Sequence, residues 1–122
     1  MTSEYRTAVQ GAVDALASGR VVAQRWSDGA LTFYPRGSRA SAAAGSPAPE
    51  EIRTATVIAS TTVREHSHPE FQAEVPFTLL IVDCDGARVM CRLAPGLPAP
   101  APGTGVSLRV SDTPRGPIVT AS

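Results

Sequence analysis

Residues 77–93, FTLLIVDCDGARVMCRL, place Asp85-Gly86 between two apolar, alternating runs. A type I′ turn needs positive φ at both central residues, and Asp-Gly supplies them, so the spacing predicts a tight β-hairpin of Phe77 to Cys84 and Ala87 to Leu93. In that register Cys84 faces Ala87 and Cys91 faces Leu80. The two thiols then lie about 13 Å apart along the ladder, while a disulfide needs Cα atoms within about 7 Å. Both cysteines therefore read as small strand residues. Asp83 and Asp85 bracket the tip, but turn chemistry accounts for Asp85 and Asp83 points away from Cys84.

Further strands are expected on both sides of the hairpin. Ile52 to Arg64 is rich in β-branched residues, with Ile52, Thr54, Thr56, Ile58 and Ser60 on one face and Ala55, Val57, Ala59, Thr61 and Val63 on the other. Its length suits a first strand that bends. Glu65 to Val75 reads as a polar loop ending at Pro76. After the Pro-rich stretch Ala94 to Thr104 come Val106 to Val110 and, past a loop at Asp112 to Gly116, Pro117 to Ala121. Five strands in this order suit a small closed barrel of the OB-fold type, with an open sandwich as runner-up.

Towards the N-terminus, residues 4–18 predict a helix. Ser3 can cap it, Glu4 suits its positive end, Tyr5, Val9, Ala12, Val13 and Leu16 recur at helical spacing, and Gly19 stops it. Val21 to Trp26 and Ala30 to Tyr34 read as short strands joined around Ser27-Asp28-Gly29. Residues 37–50, GSRASAAAGSPAPE, are small, polar and Pro-containing, which predicts a flexible connector. The expected division is residues 1–45, helix and ribbon-like arm, and residues 46–122, barrel.

Composition narrows the function. The 122 residues carry 11 Arg or Lys, all of them Arg, against 11 Asp or Glu, for a net charge of zero. No long-range field steers such a chain to phosphate backbones or anionic membranes. A surface without Lys, in a chain rich in Ala, Pro and Gly, fits a GC-rich bacterial genome. No run reaches the length of a membrane span and no signal peptide is evident, so a soluble, cytoplasmic protein is expected.

Catalytic constellations are sparse. His66 and His68 flank Ser67 before Pro69 and read as solvated loop residues; a weak metal site completed by Glu65 or Glu70 is the alternative. A dyad of Cys91 with either histidine would require a strand thiol to meet a distant loop. No nucleophile, base and stabilising donor come together.

The segment 19–45, GRVVAQRWSDGALTFYPRGSRASAAAG, resembles a zinc ribbon stripped of its ligands. Gln24-Arg25 and the Phe33-Tyr34-Pro35-Arg36 knuckle stand in place. The four positions that would carry thiolates hold Trp26, Gly29, Arg39 and Ala42, none of which ligates zinc. Trp26 then either fills the space a metal cluster would occupy or anchors an interface, as Trp and Arg do at hot spots.

With Thr56-Val57, Pro76-Phe77, Val82-Asp83-x-x-Gly86-x-x-Val89-Met90 and Gly103-x-Gly105-Val106, the order helix, ribbon, linker and barrel resembles the acyl-CoA-associated zinc-ribbon/OB-fold family of thiolase-associated accessory proteins. The family pairs an N-terminal helix and rubredoxin-like ribbon with an OB-fold. The resemblance implies a mainly β chain with a degenerate ribbon and no metal of its own. It implies a non-catalytic accessory subunit in lipid metabolism that binds and stabilises a thiolase-like or other acyl-CoA-processing enzyme and helps form its acyl-CoA site. A coenzyme A thioester would then sit at the interface with the partner rather than on this chain alone. Arg25, Trp26, Tyr34, Arg36 and Arg39 are the expected partner or coenzyme A contacts. In isolation a homodimer through the helix is compatible with the sequence. The alternative function is single-stranded nucleic-acid binding, which wants aromatic platforms and a positive groove. Residues 51–122 carry Phe71 and Phe77 as their aromatics, and acidic residues offset their arginines.

Overall fold

The computed structural model describes residues 14–33, 48–67, 69–113 and 116–122. Residues 14–17 are helical and end in a glycine cap. Gly19 takes φ 82°, its N–H meets the Leu16 carbonyl at 3.0 Å, and the Arg20 N–H reaches back to Ala15 at 2.8 Å. This Schellman pairing satisfies the last carbonyls and turns the chain out of the helix, as the position of Gly19 predicts. The expected helix over residues 4–13 lies outside the described residues. No helix among the described residues is long and apolar enough to cross a membrane.

A small antiparallel sheet follows, of β1 (Val22–Arg25), β2 (Leu31–Thr32) and β3 (Ala48–Glu51), in the order β2-β1-β3. The turn between β1 and β2 falls where the sequence places it. The Gly29 N–H bonds the Trp26 carbonyl at 2.9 Å, and the Trp26 N–H bonds Ala30 at 2.8 Å. β3 corrects the reading of residues 37–50 as connector throughout, because Ala48–Glu51 pairs with β1 from Val22↔Glu51 to Arg25↔Ala48. Backbone pairing needs no apolar side chains, and an edge strand tolerates Pro49, whose missing N–H costs nothing on the open side. The small sheet thus takes a strand from beyond the expected boundary at residue 45.

The barrel is closed, in the order β4-β5-β6-β8-β7, from β4 (Thr54–Val63), β5 (Phe77–Cys84), β6 (Ala87–Leu93), β7 (Gly105–Thr113) and β8 (Gly116–Ala121). β6 and β8 run parallel and the other neighbours antiparallel, which is the five-stranded OB topology. The β5–β6 register matches the expectation from the turn, with Cys84↔Ala87 and Leu80↔Cys91, and Asp85 and Gly86 both hold positive φ, 52° and 86°.

Two details differ from the sequence reading. β4 bulges between Val57 and Ala59, so the single face expected for Ala55, Val57, Ala59, Thr61 and Val63 breaks there. Ala55 and Val57 point inward, whereas Ala59 stands opposite Ile81 on the outside. A bulge bends a strand and increases its twist, which is how a first strand follows a closing barrel. The expected loop at 112–116 is also shorter, because the β7–β8 ladder continues through Asp112↔Pro117 and Thr113↔Gly116.

One apolar cluster spans both sheets. Val21, Ala23, Leu31, Phe33 and Ile52 from the small sheet join Val57, Leu80, Val82, Val89, Leu93 and Ala121 of the barrel. The Ile52 N–H bonds the Val21 carbonyl at 2.8 Å, so the strand leaving the small sheet enters the barrel without a break in pairing.

Candidate functional site

The ribbon-like segment turns its chemistry inward. Trp26 is 2% exposed and is among the largest fully buried side chains. Its indole N–H donates to Thr32 Oγ1 at 2.9 Å, the partner a buried indole requires. Of the two roles its sequence position suggests, filling the interior is the one this environment matches. Gly29, another of the four positions, holds the turn with φ 89°.

Arg25 fans out to three acceptors: Glu50 on β3 at 2.9 Å, the Asp85 carboxylate at the barrel hairpin tip at 2.6 Å, and the Gly29 carbonyl at 2.9 Å. Donation to Glu50 first and to Asp85 second holds the guanidinium above its ordinary pKa. Asp85 therefore does more than turn the chain, since it ties the small sheet to the barrel. Tyr34, Arg36, Arg39 and Ala42 lie outside the described residues, so of the expected contact set only Arg25 and Trp26 are placed, and both are engaged within the chain.

Both cysteine thiols are held in the protonated form. Cys91 is buried facing the core, and burial pushes its thiol up to about 11. Cys84 is raised as well, by burial first and the Asp85 charge second. A thiolate is the reactive form, so both shifts disfavour it near neutrality. Among the described residues no three of His, Cys, Asp and Glu come together in a metal-binding group.

The outer face of the β5–β6 hairpin is different. Cross-strand pairing lines up Ala59, Ile81 and Met90 across three strands, and beside them Thr61, Leu79 and Arg92. Ile81 and Met90, paired across the hairpin, are 39% and 59% exposed, so apolar side chains meet solvent side by side on this face. A shallow hollow of about 100 Å³ lies among Ala59, Thr61, Leu79, Ile81 and Met90.

The hollow leads past Leu79 and Met90 into a cleft of about 400 Å³, walled by Val63, His66, Phe71, Phe77, Arg92 and Ile118. The one-turn helix Pro69–Gln72 closes one side. His66 is half-buried, which corrects its reading as a solvated loop residue. Its ring meets Phe71 edge-on at 5.1 Å and lies 6.3 Å from Phe77, and its backbone N–H donates to Gln72 Oε1 at 2.6 Å. The Arg92 guanidinium stands 4.1 Å over the Phe77 ring and bridges to Glu74 at 2.9 Å. His68 lies outside the described residues.

Part of this surface is readable from the sequence. The Asp85-Gly86 turn alone sets Leu79 opposite Arg92 and Ile81 opposite Met90. The return of Phe71 and Glu74 over the hairpin carries no such signal.

Residues 52–111 match the model of the family described as "ChsH2, C-terminal OB-fold domain". The barrel is similar to that family's domain over this span. The match runs from Ile52 through Ser111, thus over β4, β5, β6 and most of β7, and bears out the resemblance to an acyl-CoA-associated OB-fold family. The chain is also similar in fold to a chain of the solved structure described as "Ltp2-ChsH2(DUF35) aldolase". The TM-score is 0.69 at 20% identity over 99% of this chain and 94% of that chain. The likeness covers the small sheet as well as the OB-fold. No curated protein sequence matches the chain.

Proposed function

We propose that this chain is a cytoplasmic, non-catalytic accessory subunit whose OB-fold binds and stabilises a thiolase-like or other acyl-CoA-processing enzyme and helps form its acyl-CoA site. The observation that carries the reading is the family match of the barrel, set beside the likeness of nearly the whole chain to part of an assembly described as an Ltp2–ChsH2(DUF35) aldolase. The exposed row of Ala59, Ile81 and Met90 supports it, because contiguous apolar surface marks a contact site. We assign the partner contact to this row in place of Trp26, which is already buried.

The nucleic-acid alternative fares worse on the same surface. Base stacking needs exposed aromatic platforms, whereas the centre of this face is Leu79, Ile81 and Met90. Phe77, at its margin, is covered by Arg92.

The test is a pull-down of tagged protein from its host lysate, with the double variant Ile81→Asp, Met90→Asp run in parallel. Recovery of an acyl-CoA-processing enzyme in near-stoichiometric amount by the parent and not by the variant is expected. Recovery of nucleic acid alone, or of the same enzyme by both proteins, sinks the assignment.

A further inference from the structure

The cleft beneath the one-turn helix is a separate matter from the aliphatic row, although they share Leu79 and Met90. At about 400 Å³ it lies within the size range of small-molecule sites, which are mainly apolar with a few convergent polar groups. Its floor is aliphatic, from Val63, Leu79, Met90 and Ile118, and its sides are the Phe71 and Phe77 rings. Among the described residues that line it, Arg92 is the one fixed cation. The Arg92 side chain is 13% exposed, so its charge is poorly screened by water.

We infer that this cleft binds a small apolar monocarboxylate, with its tail on Leu79, Met90 and Ile118 and its carboxylate on Arg92 beside His66. One cation suits one anionic head, whereas a phosphate-rich coenzyme would need several. The guanidinium offers five N–H donors, and Glu74 takes one through Nη1. Glu74 is more exposed, at 42%, and belongs to the segment after the one-turn helix. A bound carboxylate therefore shares or replaces the Glu74 contact, with the Phe77 ring holding the guanidinium in place. Glu74 acts as a built-in competitor for the site. This inference concerns the isolated chain and does not depend on any partner enzyme.

The experiment is calorimetric titration of the full chain with octanoate and with octan-1-ol, its neutral analogue, together with chemical shifts of the Leu79 and Met90 methyl groups. Octanoate is expected to bind at least about tenfold more tightly than octanol, in line with a charge-assisted contact. Arg92→Met should abolish that preference. Glu74→Gln, a change at a half-exposed site that leaves the fold intact, should tighten octanoate several-fold and leave octanol unchanged. The opposing directions distinguish a head-group site from general apolar adsorption. Equal binding of octanoate and octanol, no binding of either, methyl shifts elsewhere on the barrel, or octanoate affinity unmoved by Glu74→Gln would each overturn the proposal. Failure of the pull-down would leave these outcomes untouched.

Discussion

Strands β4 to β8 run six to ten residues and close on themselves, whereas β1 to β3 run two to four and leave β2 and β3 as edges. Closure satisfies every strand's neighbours, so the barrel carries its own order. The small sheet has too little ladder for that. It depends on sharing the barrel's core through Val21, Leu31, Phe33 and Ile52, on one buried indole, and on one guanidinium that reaches across to Asp85. A short, open sheet persists where a neighbour supplies the burial it lacks.

The largest test of this contrast is Trp26→Ala, which empties a fully buried site and should cost about 4 kcal/mol, read by urea unfolding. Since the core is continuous, barrel and small sheet should still melt in one transition when followed by far-UV circular dichroism and hydrogen exchange. Two resolved transitions would show the regions to be independent. Leu80→Ala, at a barrel position with 0% exposure, should cost about 3 kcal/mol. If it exceeded Trp26→Ala, the small sheet would matter less to the whole than its packing implies.

Cys91 sharpens the barrel's side of the comparison through pH. Its thiol rises from the usual 9.0 to about 11 on folding, so between these values the unfolded chain loses a proton that the native chain keeps. Stability is complete below pH 9, falls as pH climbs toward 11, and the loss amounts to about 3 kcal/mol. Cys91→Val, of similar volume, should flatten this part of the alkaline slope; an unchanged slope would place the titration elsewhere. The smallest effect belongs to Arg25→Met, which removes the bridges to Glu50 and Asp85. It should lower the melting temperature slightly at low salt and hardly at all at high salt, because exposed ion pairs are screened. A large loss independent of salt would mean that the arginine stem packs, rather than pairs, between the two sheets.

The legibility of these regions follows from how local their determinants are. Asp85-Gly86 fixes a hairpin register across two residues, so Leu80↔Cys91 and Ile81↔Met90 were readable from the chain. Gly19 likewise signals its helix stop through a backbone conformation that a side chain resists. β3 is not legible because Ala48-Pro49-Glu50-Glu51 has no strand pattern of its own, and its order comes from β1. The candidate site was half legible for the same reason. Leu79, Met90 and Arg92 follow from the hairpin, but His66, Phe71 and Glu74 reach it through a loop whose sequence reads as polar and solvated.

By itself the sequence determined a mainly β chain, a glycine-capped helix end, a hairpin with fixed register and a ribbon-like segment whose four expected ligand positions hold no ligand. These depend on neighbours along the chain and on side-chain chemistry. Only the tertiary structure decided that β3 joins the small sheet, that β4 bulges and turns Ala59 outward, that Arg25 ties Asp85 to Glu50, and that a cleft opens between Phe71, Phe77 and Arg92. Each of these brings together residues far apart in sequence, and such contacts form only once barrel closure has brought their strands and loops side by side.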